Sequence, residues 1–397
     1  MTVSVPQGFR LAGVSCGIKQ DSSREDLTLI VADAPSVAAG VYTQNLVYAA
    51  PVAVDRERTP SDKMRVVAVN SGNANACTGQ RGMEDALEMA RLAAEACDAE
   101  PDQSLVMSTG IIGDFLPMDK IAAGIRSAAE RLGNDEDAFL SAARGIITTD
   151  KSHKIAGRSI EVAGQTIRIA GMAKGAGMIG PKMATMLAAV MTDARMTPAD
   201  AQAALVAAVD DSFNCISVEG HMSTNDTVLL LASGAACSEP LAGDALSAFR
   251  TALREVCIEL ARQIPDDGEG ASHLITIDVC GTATRDDAFS IAKTVANSNL
   301  VKTGISGNDP NWGRIVCAAG YSGVQFDPNR LSLRLNGTLL YRDGAPVEFD
   351  ATSVSHSMQE NRETHIILEL AEGDASARFW TSDLTVDYVR FNSDYHT

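Results

Sequence analysis

The stretch from Gly171 to Asp193, GMAKGAGMIGPKMATMLAAVMTD, contains the residues whose types and spacing are best suited to chemistry. Glycines are dense up to Gly180, Pro181 follows, and an apolar run begins at Met183. This composition predicts a contorted backbone that leads into a buried element. Three interpretations of the stretch follow from its residues.

The first interpretation is a phosphate-binding loop, because Gly175, Gly177 and Gly180 satisfy G-x-G-x-x-G after a candidate strand. A dinucleotide fingerprint also requires a helix that begins at the last glycine and an acid at the tip of the next strand. Asp200 has the spacing of that acid, but it falls in the opening turn of a predicted helix. The Pro-Lys pair after Gly180 does not fit a P-loop. The glycines therefore lack the context of a nucleotide site.

The second interpretation is a glycine-rich turn before a core strand, in which Thr185 is a β-branched filler, and pattern alone favours it. The third is self-processing, in which the Thr185 hydroxyl attacks the Ala184 carbonyl and water opens the resulting ester. The scission would free an α-amine with a pKa of about 8, close enough to act as the base for the same hydroxyl. Chemistry alone does not decide between the two.

The run KGAGMIGPKMATMLA, residues 174–188, resembles the autocleavage motif of the ornithine acetyltransferase family, the glutamate N-acetyltransferases of the cyclic arginine pathway. Other blocks resemble the family in its own order over nearly the whole chain. They are GFRLAGVSCGIK from Gly8, NSGNANACTG from Asn70, STGIIGDFLPMDKI from Ser108, DGEGASHLI from Asp267, LVKTGISGNDPNWGRI from Leu300 and the terminal FNSDYHT. The resemblance implies transfer of acetyl from N2-acetyl-L-ornithine to L-glutamate through an acetyl-Thr185 ester, in a ping-pong reaction.

The resemblance also implies roles for single residues. Thr109 and Gly110 would form the oxyanion hole, in which a hydroxyl and a backbone N–H stabilise the tetrahedral intermediate. Lys174 would bind a substrate carboxylate and Glu269 the substrate ammonium group. The other substrate contacts would be Thr148, with Thr149 as the near alternative, Thr185 itself, Asn392 and Thr397. Without the resemblance, these would pass for ordinary turn, loop and terminal residues. The expected cofactor is none, with acetyl-CoA as a conceivable co-substrate.

Two segments depart from the family's pattern. Residues 219–226 read EGHMSTND where the family usually has DGDTSTND, which introduces His221 and Met222. TTDKSHK, residues 148–154, has Lys151 and His153 where the family tends toward Thr and Pro. If these segments line the pocket, the substrate could differ; if they are outer loops, nothing follows. An N-terminal-nucleophile hydrolase or aminopeptidase, or an acyltransferase for another amino acid, is the alternative function.

The elements that would position these residues follow from hydrophobic periodicity. Helices are predicted at residues 82–97, 118–132, 197–213 and 240–264, the third with Thr197 as N-cap and Pro198 as its first residue. Strands are predicted at residues 65–70, 166–171, 227–233, 274–279, 331–337, 365–370 and 385–392, and their alternation favours mixed or antiparallel sheets. The resemblance implies an α/β (α+β) fold, a two-layered sandwich of mixed sheets with flanking helices. It divides the chain into an α chain (1–184) and a β chain (185–397), assembled as two α and two β chains.

Composition narrows the choice of partners. The 397 residues carry a formal net charge of -18, which argues against binding nucleic acid or an anionic membrane. The eight cysteines are scattered without a C-x-x-C pair and the six histidines without ligand spacing, so we expect reduced thiols and no metal site. The N-terminus has no signal pattern and no apolar run reaches the roughly 18 residues of a spanning helix. The expected location is the cytoplasm.

Overall fold

The computed structural model describes residues 3–162, 164–180 and 186–394, along which strands and helices alternate. The strands are β1 (Phe9–Val14), β2 (Leu27–Tyr42), β3 (Ser61–Asn73), β4 (Ser104–Ile111), β5 (Lys154–Val162), β6 (Gln165–Lys174), β7 (Leu187–Thr192), β8 (Ile216–Ser217), β9 (Thr227–Ala232), β10 (Leu274–Thr282), β11 (Ser332–Leu335), β12 (Thr338–Arg342), β13 (Ala345–Pro346), β14 (Glu363–Glu369) and β15 (Ala375–Ser382). The helices are α1 (Ala50–Arg58), α2 (Gly79–Ala96), α3 (Met118–Ala129), α4 (Glu136–Gly145), α5 (Pro198–Asp210), α6 (Gly243–Asp266), α7 (Arg285–Ala296), α8 (Asn299–Ser306), α9 (Trp312–Gly320), α10 (Ala351–Glu360) and α11 (Val386–Asp394).

The first sheet carries the site. Its strand order is β4-β3-β2-β9-β7-β6-β5, and β1 pairs with β2. The pairs β3–β4 and β7–β9 are parallel, whereas β2–β9, β6–β7 and β5–β6 are antiparallel. Every residue of β7 and β9 is buried, which fits their nearly continuous apolar sequences because both faces of the sheet are covered.

The second sheet has the order β13-β12-β11-β14-β10-β15-β8 and is also mixed, with β10 parallel to β14 and antiparallel to β15. Helix α6 contacts β5 and β6 of the first sheet and β15 and β8 of the second, so it lies between the two sheets. Its buried residues Phe249, Leu253 and Leu260 belong to the apolar core that the two sheets share. Other helices cover the first sheet, with α4 against β1 and α3 against β2. This is the mixed α/β arrangement expected from the sequence.

The predicted helices are present as α2, α3, α5 and α6, with ends that shift by a few residues. Helix α5 begins as predicted, since the Thr197 Oγ1 accepts the Asp200 N–H at 3.1 Å and Pro198 occupies the first turn. It ends at Asp210, and a short 3-10 turn, Phe213–Cys215, takes the place of the predicted last residues. Six predicted strands are confirmed as β3, β6, β9, β10, β11 and β14.

The strand predicted at residues 385–392 is wrong, because this segment forms helix α11. Alternating apolar residues suggested a strand, but the hydrogen bonds of the Thr385 hydroxyl favour a helix. It accepts the Tyr388 N–H at 3.1 Å, as a helix N-cap does, and donates to the Gly270 carbonyl at 2.7 Å. The cap starts the helix and the second bond attaches it to the loop after α6.

None of the helices found in residues 3–162, 164–180 and 186–394 is both long enough and apolar enough to cross a bilayer. The same part of the chain contains no group of three or more His, Cys, Asp or Glu residues arranged to hold a metal ion. The eight cysteines all lie in it and carry free thiols.

Candidate active site

The end of β4 places Thr109 and Gly110 at one edge of the first sheet. The ladder between β3 and β4 pairs Ser71 with Thr109 and Gly72 with Gly110. Gly110 has φ 137°, in the left-handed region, and a Cβ there would lie 2.2 Å from the Gly72 carbonyl carbon. Only glycine fits this backbone. The Thr109 side chain is buried, so its hydroxyl faces the interior of the site.

The end of β6 brings Lys174 to the same place. Its ammonium group is buried and donates to the Thr109 Oγ1 at 3.3 Å, although the two residues are 65 positions apart. Burial lowers the pKa of Lys174, and the carboxylates of Asp150, Asp226 and Glu269 oppose that effect. Lys174 is therefore a buried cation beside the Thr-Gly turn rather than a solvated loop lysine.

The glycine-rich loop after β6 is held by Glu269 from the loop after α6. The Glu269 N–H donates to the Ala176 carbonyl at 2.9 Å. A Cβ on Gly177 would lie 2.4 Å from the Glu269 Oε2, so the carboxylate occupies the space that a side chain would need. A carboxylate in this position repels phosphate. Together with Asp200 in the first turn of α5, it argues against the dinucleotide interpretation.

Glu269 also joins two other residues named from the sequence. Its Oε1 accepts the Thr149 hydroxyl at 2.7 Å and its Oε2 accepts the Asn392 amide at 3.1 Å. Asn392 reaches it from α11, the helix that the sequence did not predict. Of the two candidate threonines, Thr149 makes the side-chain contact with Glu269, while Thr148 lines the neighbouring cleft and its carbonyl accepts Arg24 at 2.8 Å.

A cleft of about 690 Å³ opens beside this group, lined by Gly110, Thr148 and Thr149 among others. Two cations, Lys19 and Arg24, also line it, and so do the carboxylates of Asp21 and Asp394. Burial, followed by the charge of Arg24, lowers the pKa of Lys19 to about 8. Both signs of charge therefore line a cleft with room for an amino-acid substrate, as a zwitterion requires.

Asp226 is a site residue that the sequence reasoning missed. Its side chain is fully buried, and its Oδ1 accepts the Met186 N–H at 3.0 Å. Burial raises the pKa of the carboxyl to about 8, and the hydrogen bonds from the Met186 N–H and the Thr43 side chain oppose this effect. The sequence signal that could have identified Asp226 is its place in the STND block, which matches the family's pattern.

Asn225 was missed as well. Its amide donates to the Ala74 carbonyl at 2.6 Å and to the Ser108 carbonyl at 2.8 Å. These bonds attach the segment before β9 to the end of β4, immediately before the Thr-Gly turn. Nothing in a polar STND sequence distinguishes such a buried cross-link from an exposed loop.

The residues that depart from the family pattern lie away from this cleft. His221 and Lys151 are exposed, and His153 and Met222 are partly buried. The lining of the cleft, as far as the structure describes it, includes none of the four. The Lys151 N–H donates to the Asp267 Oδ2 at 3.1 Å, so the backbone of its segment is fixed whichever side chain it carries. Because none of them lines the cleft as described, these departures do not argue for a changed substrate.

Three residues named from the sequence, Ala184, Thr185 and Thr397, lie outside the described residues, as does the Pro-Lys-Met run before Ala184. Met186 is the first described residue after that gap. The structure thus brings together Thr109, Gly110, Lys174, Glu269 and Asn392, with Thr148 and Thr149 beside them.

The mixed α/β fold, the cleft lined by both signs of charge and the neighbouring Lys174 and Glu269 define an enzyme suited to a small zwitterionic substrate. The chain belongs to the ArgJ family, whose model matches residues 10–397. The arginine biosynthesis bifunctional protein ArgJ of Rhodopirellula baltica is 50% identical over 396 residues, which cover 99% of this chain and 96% of that protein. The protein of the same name from Symbiobacterium thermophilum is 48% identical over 398 residues, with 100% and 98% covered.

A solved structure gives a further comparison. The crystal structure of the arginine biosynthesis bifunctional protein ArgJ from Bacillus halodurans is 38% identical to this chain, with a TM-score of 0.51. The match covers 52% of this chain and 98% of that one.

Proposed function

We propose that this chain is a self-cleaving acetyltransferase of arginine biosynthesis. It would move acetyl from N2-acetyl-L-ornithine to L-glutamate through an ester on Thr185. One observation carries the proposal: the buried ammonium group of Lys174 donates to the Thr109 Oγ1 at 3.3 Å, at the turn that resembles the family's oxyanion hole. The names of the relatives, which place them in arginine biosynthesis, support the same activity.

The proposed reaction has two halves. The Thr185 hydroxyl, deprotonated by its own α-amine, attacks the acetyl carbonyl carbon of N-acetylornithine. The oxygen becomes negative in the tetrahedral intermediate, which collapses to the ester as ornithine leaves with the proton. The amine of glutamate then attacks the ester carbonyl, and N-acetylglutamate leaves as Thr185 regains its proton.

The Lys174–Thr109 contact has a consequence for the oxyanion. The Thr109 oxygen accepts from the ammonium group, so its own O–H remains available to donate to the developing negative charge. The Gly110 N–H would supply the second donor. Loss of one such donor typically costs about 10²–10³-fold in kcat.

Charge complementarity supports the choice of substrate. Lys174 would take the substrate carboxylate, and Glu269, held by Thr149 and Asn392, would take an ammonium group. The proposal includes acetyl-CoA as a further acetyl donor to glutamate, without any bound cofactor. It also includes fragments 1–184 and 185–397, their assembly as two of each, and a cytoplasmic location, all of which the family resemblance implies.

The test of the activity is incubation of the purified protein with N-acetyl-L-ornithine, with and without L-glutamate. Ornithine release that requires glutamate, with matching formation of N-acetylglutamate, is the expected result. Release at the same rate without glutamate would mean that water is the acceptor and that the enzyme is a hydrolase.

The test of self-cleavage is an intact-mass spectrum. It should give fragments that end at Ala184 and begin at Thr185, and the variant Thr185→Ala should remain one uncut, inactive species. Thr338→Ala, which changes an exposed threonine of β12, should be cut like the parent protein. An uncut parent protein with full activity would contradict the mechanism.

A further inference from the structure

A buried cluster of charges lies directly behind the substrate contacts. The Lys154 Nζ is 2.6 Å from the Asp150 Oδ1 and 2.7 Å from the Asp267 Oδ2. The side chains of Lys154 and Asp150 are 1% and 0% exposed. Burying charges costs desolvation energy that their attraction often does not recover, so stability alone does not account for this cluster.

Asp150 is bonded to two of the segments that bear site residues. Its Oδ1 also accepts the Gly175 N–H at 2.7 Å, next to Lys174, and its Oδ2 accepts the Thr148 N–H at 3.0 Å. Through Lys154 it is linked to Asp267, two residues before Glu269. The cluster thus connects the segments of three predicted substrate contacts.

Among the described residues, no carboxylate forms a salt bridge with Lys174, and its ammonium group donates to the neutral Thr109 hydroxyl. The charges that act on it are Asp150, the like charge of Lys154, the carboxylate of Glu269 and, above about pH 8 where it is ionised, Asp226. Of these, Asp150 opposes most strongly the effect of burial, which lowers the pKa of Lys174.

The effect on Asp150 is reciprocal. Burial alone would raise the pKa of Asp150, but the ammonium groups of Lys154 and Lys174 hold it well below its usual range. Asp150 is therefore ionised throughout the pH range of interest and supplies a constant negative charge beside Lys174.

We propose that Asp150 is a positioning residue that supplies the counter-charge holding Lys174 as an ammonium ion, and that Lys154 limits this effect by sharing the same carboxylate. The inference rests on the proposed function, in which Lys174 binds the substrate carboxylate. A neutral amine would lose the charge-assisted contact with the substrate. Substrate affinity then falls as pH rises through the pKa of Lys174.

The two partners of the cluster act on this pH dependence in opposite directions. Removing the negative charge of Asp150 destabilises the ammonium form of Lys174, so the fall in affinity moves to lower pH. Removing the positive charge of Lys154 relieves repulsion of Lys174, so the fall moves to higher pH. General damage to the fold would not produce shifts of opposite sign.

The experiment measures KM and kcat for N-acetyl-L-ornithine from about pH 6 to pH 9 with the self-cleaved full chain, and a pKa shift of one unit changes the ratio of ammonium to amine about tenfold. Asp150→Asn should raise KM more at the upper end of this range than at the lower end, with a smaller effect on kcat. Lys154→Met should extend the low-KM range to higher pH. In a Lys174→Met background, Asp150→Asn should add nothing further to KM.

Asp55 provides a matched control. It is equally buried and its Oδ1 accepts a strand amide, that of Val106, at 2.8 Å, but it forms no salt bridge among the described residues. Asp55→Asn should leave the pH profile of KM unchanged, whatever it does to the melting temperature.

The outcomes separate the inference from the function. If Lys174→Met raises KM but Asp150→Asn and Lys154→Met shift the profile in the same direction, or not at all, the role of Asp150 is overturned and the function stands. If Lys174→Met leaves KM unchanged, the proposed substrate contact fails and the inference fails with it. If Asp150→Asn does not fold, the direction of the Lys154→Met shift still decides.

Discussion

At the scale of single residues, Gly177 is the glycine of the loop that lies against the Glu269 carboxylate. A Cβ there would lie 2.4 Å from the Glu269 carboxyl carbon, so Gly177→Ala forces the carboxylate away from Thr149 or Asn392. Loss of one charged hydrogen bond costs about 1.5–3 kcal/mol, which predicts a rise in KM of at least about tenfold. Steady-state kinetics with N-acetylornithine measure this rise.

The control for that substitution is Gly313→Ala in α9, where a new Cβ would lie at an ordinary contact distance of 3.5 Å from the Asn311 Oδ1. KM should not change, and the melting temperature should stay the same or rise, because alanine is favoured over glycine in a helix by about 1 kcal/mol. An unchanged KM in Gly177→Ala would mean that Glu269 does not bind substrate in this position.

Asp226 predicts a pH dependence of stability. Burial raises its pKa from 3.8 to about 8, so between these values the folded state keeps a proton that the unfolded state loses. The unfolded state binds fewer protons there, and the free energy of unfolding therefore falls as pH rises. Asp226→Asn should flatten this fall, so its melting temperature should decline less than that of the parent between about pH 5 and pH 8.

Asp62→Asn is the comparison for Asp226, since Asp62 is exposed. Its melting temperature should follow that of the parent at every pH, because exposed substitutions away from special features change stability by about 0.5 kcal/mol or less. Parallel curves for Asp226→Asn and the parent would show that the buried carboxyl does not titrate in this range.

At the scale of elements, helix α11 carries Asn392 to Glu269 and depends on its cap. Thr385→Ala removes both the bond to the Tyr388 N–H and the bond to the Gly270 carbonyl. Loss of a cap costs about 0.5–2 kcal/mol, so we expect a lower melting temperature together with a higher KM. Thermal unfolding and kinetics on the same preparation test both expectations.

Helix α7 offers the matched cap. The Thr284 Oγ1 accepts the Asp287 N–H at 3.1 Å, and α7 bears no predicted site residue. Thr284→Ala should lower the melting temperature by a similar amount and leave KM unchanged. If the two variants have the same KM, α11 does not support the substrate site.

The helices also show which parts of the fold could be predicted from the sequence. The start of helix α5 was predictable because Thr197, its N-cap, and Pro198, its first residue, are adjacent in the sequence. Helix α11 was not, because the decisive bond of Thr385 goes to Gly270, a residue 115 positions away. The same holds for the site. Lys174 and Glu269 were found through a family resemblance, whereas Asp150 and Asp226 owe their roles to burial and to amides from other loops, which a linear pattern does not contain.

At the scale of the whole molecule, the first sheet contains strands from both proposed fragments. Strands β7 and β9 follow the scission point, yet they pair with β6 on one side and β2 on the other, both of which precede it. We predict that the fragments stay together after cleavage and unfold in one transition. Native mass spectrometry and denaturant unfolding test this, with uncut Thr185→Ala as the control. Fragments that separate on dilution in native buffer would contradict it.

Strands β7 and β9 lie between β2 and β6, both of which are synthesised before them, and this affects the order of folding and scission. A fragment made alone would leave β6 and β2, or β7 and β9, with bare edges that invite aggregation. The proposed scission is therefore expected after the polypeptide has closed that sheet, while its halves are still one molecule. If the chain is cut as proposed and then fully unfolded, it has to reassemble from two molecules, so recovery from denaturant should be a bimolecular process whose yield falls as the solution is diluted.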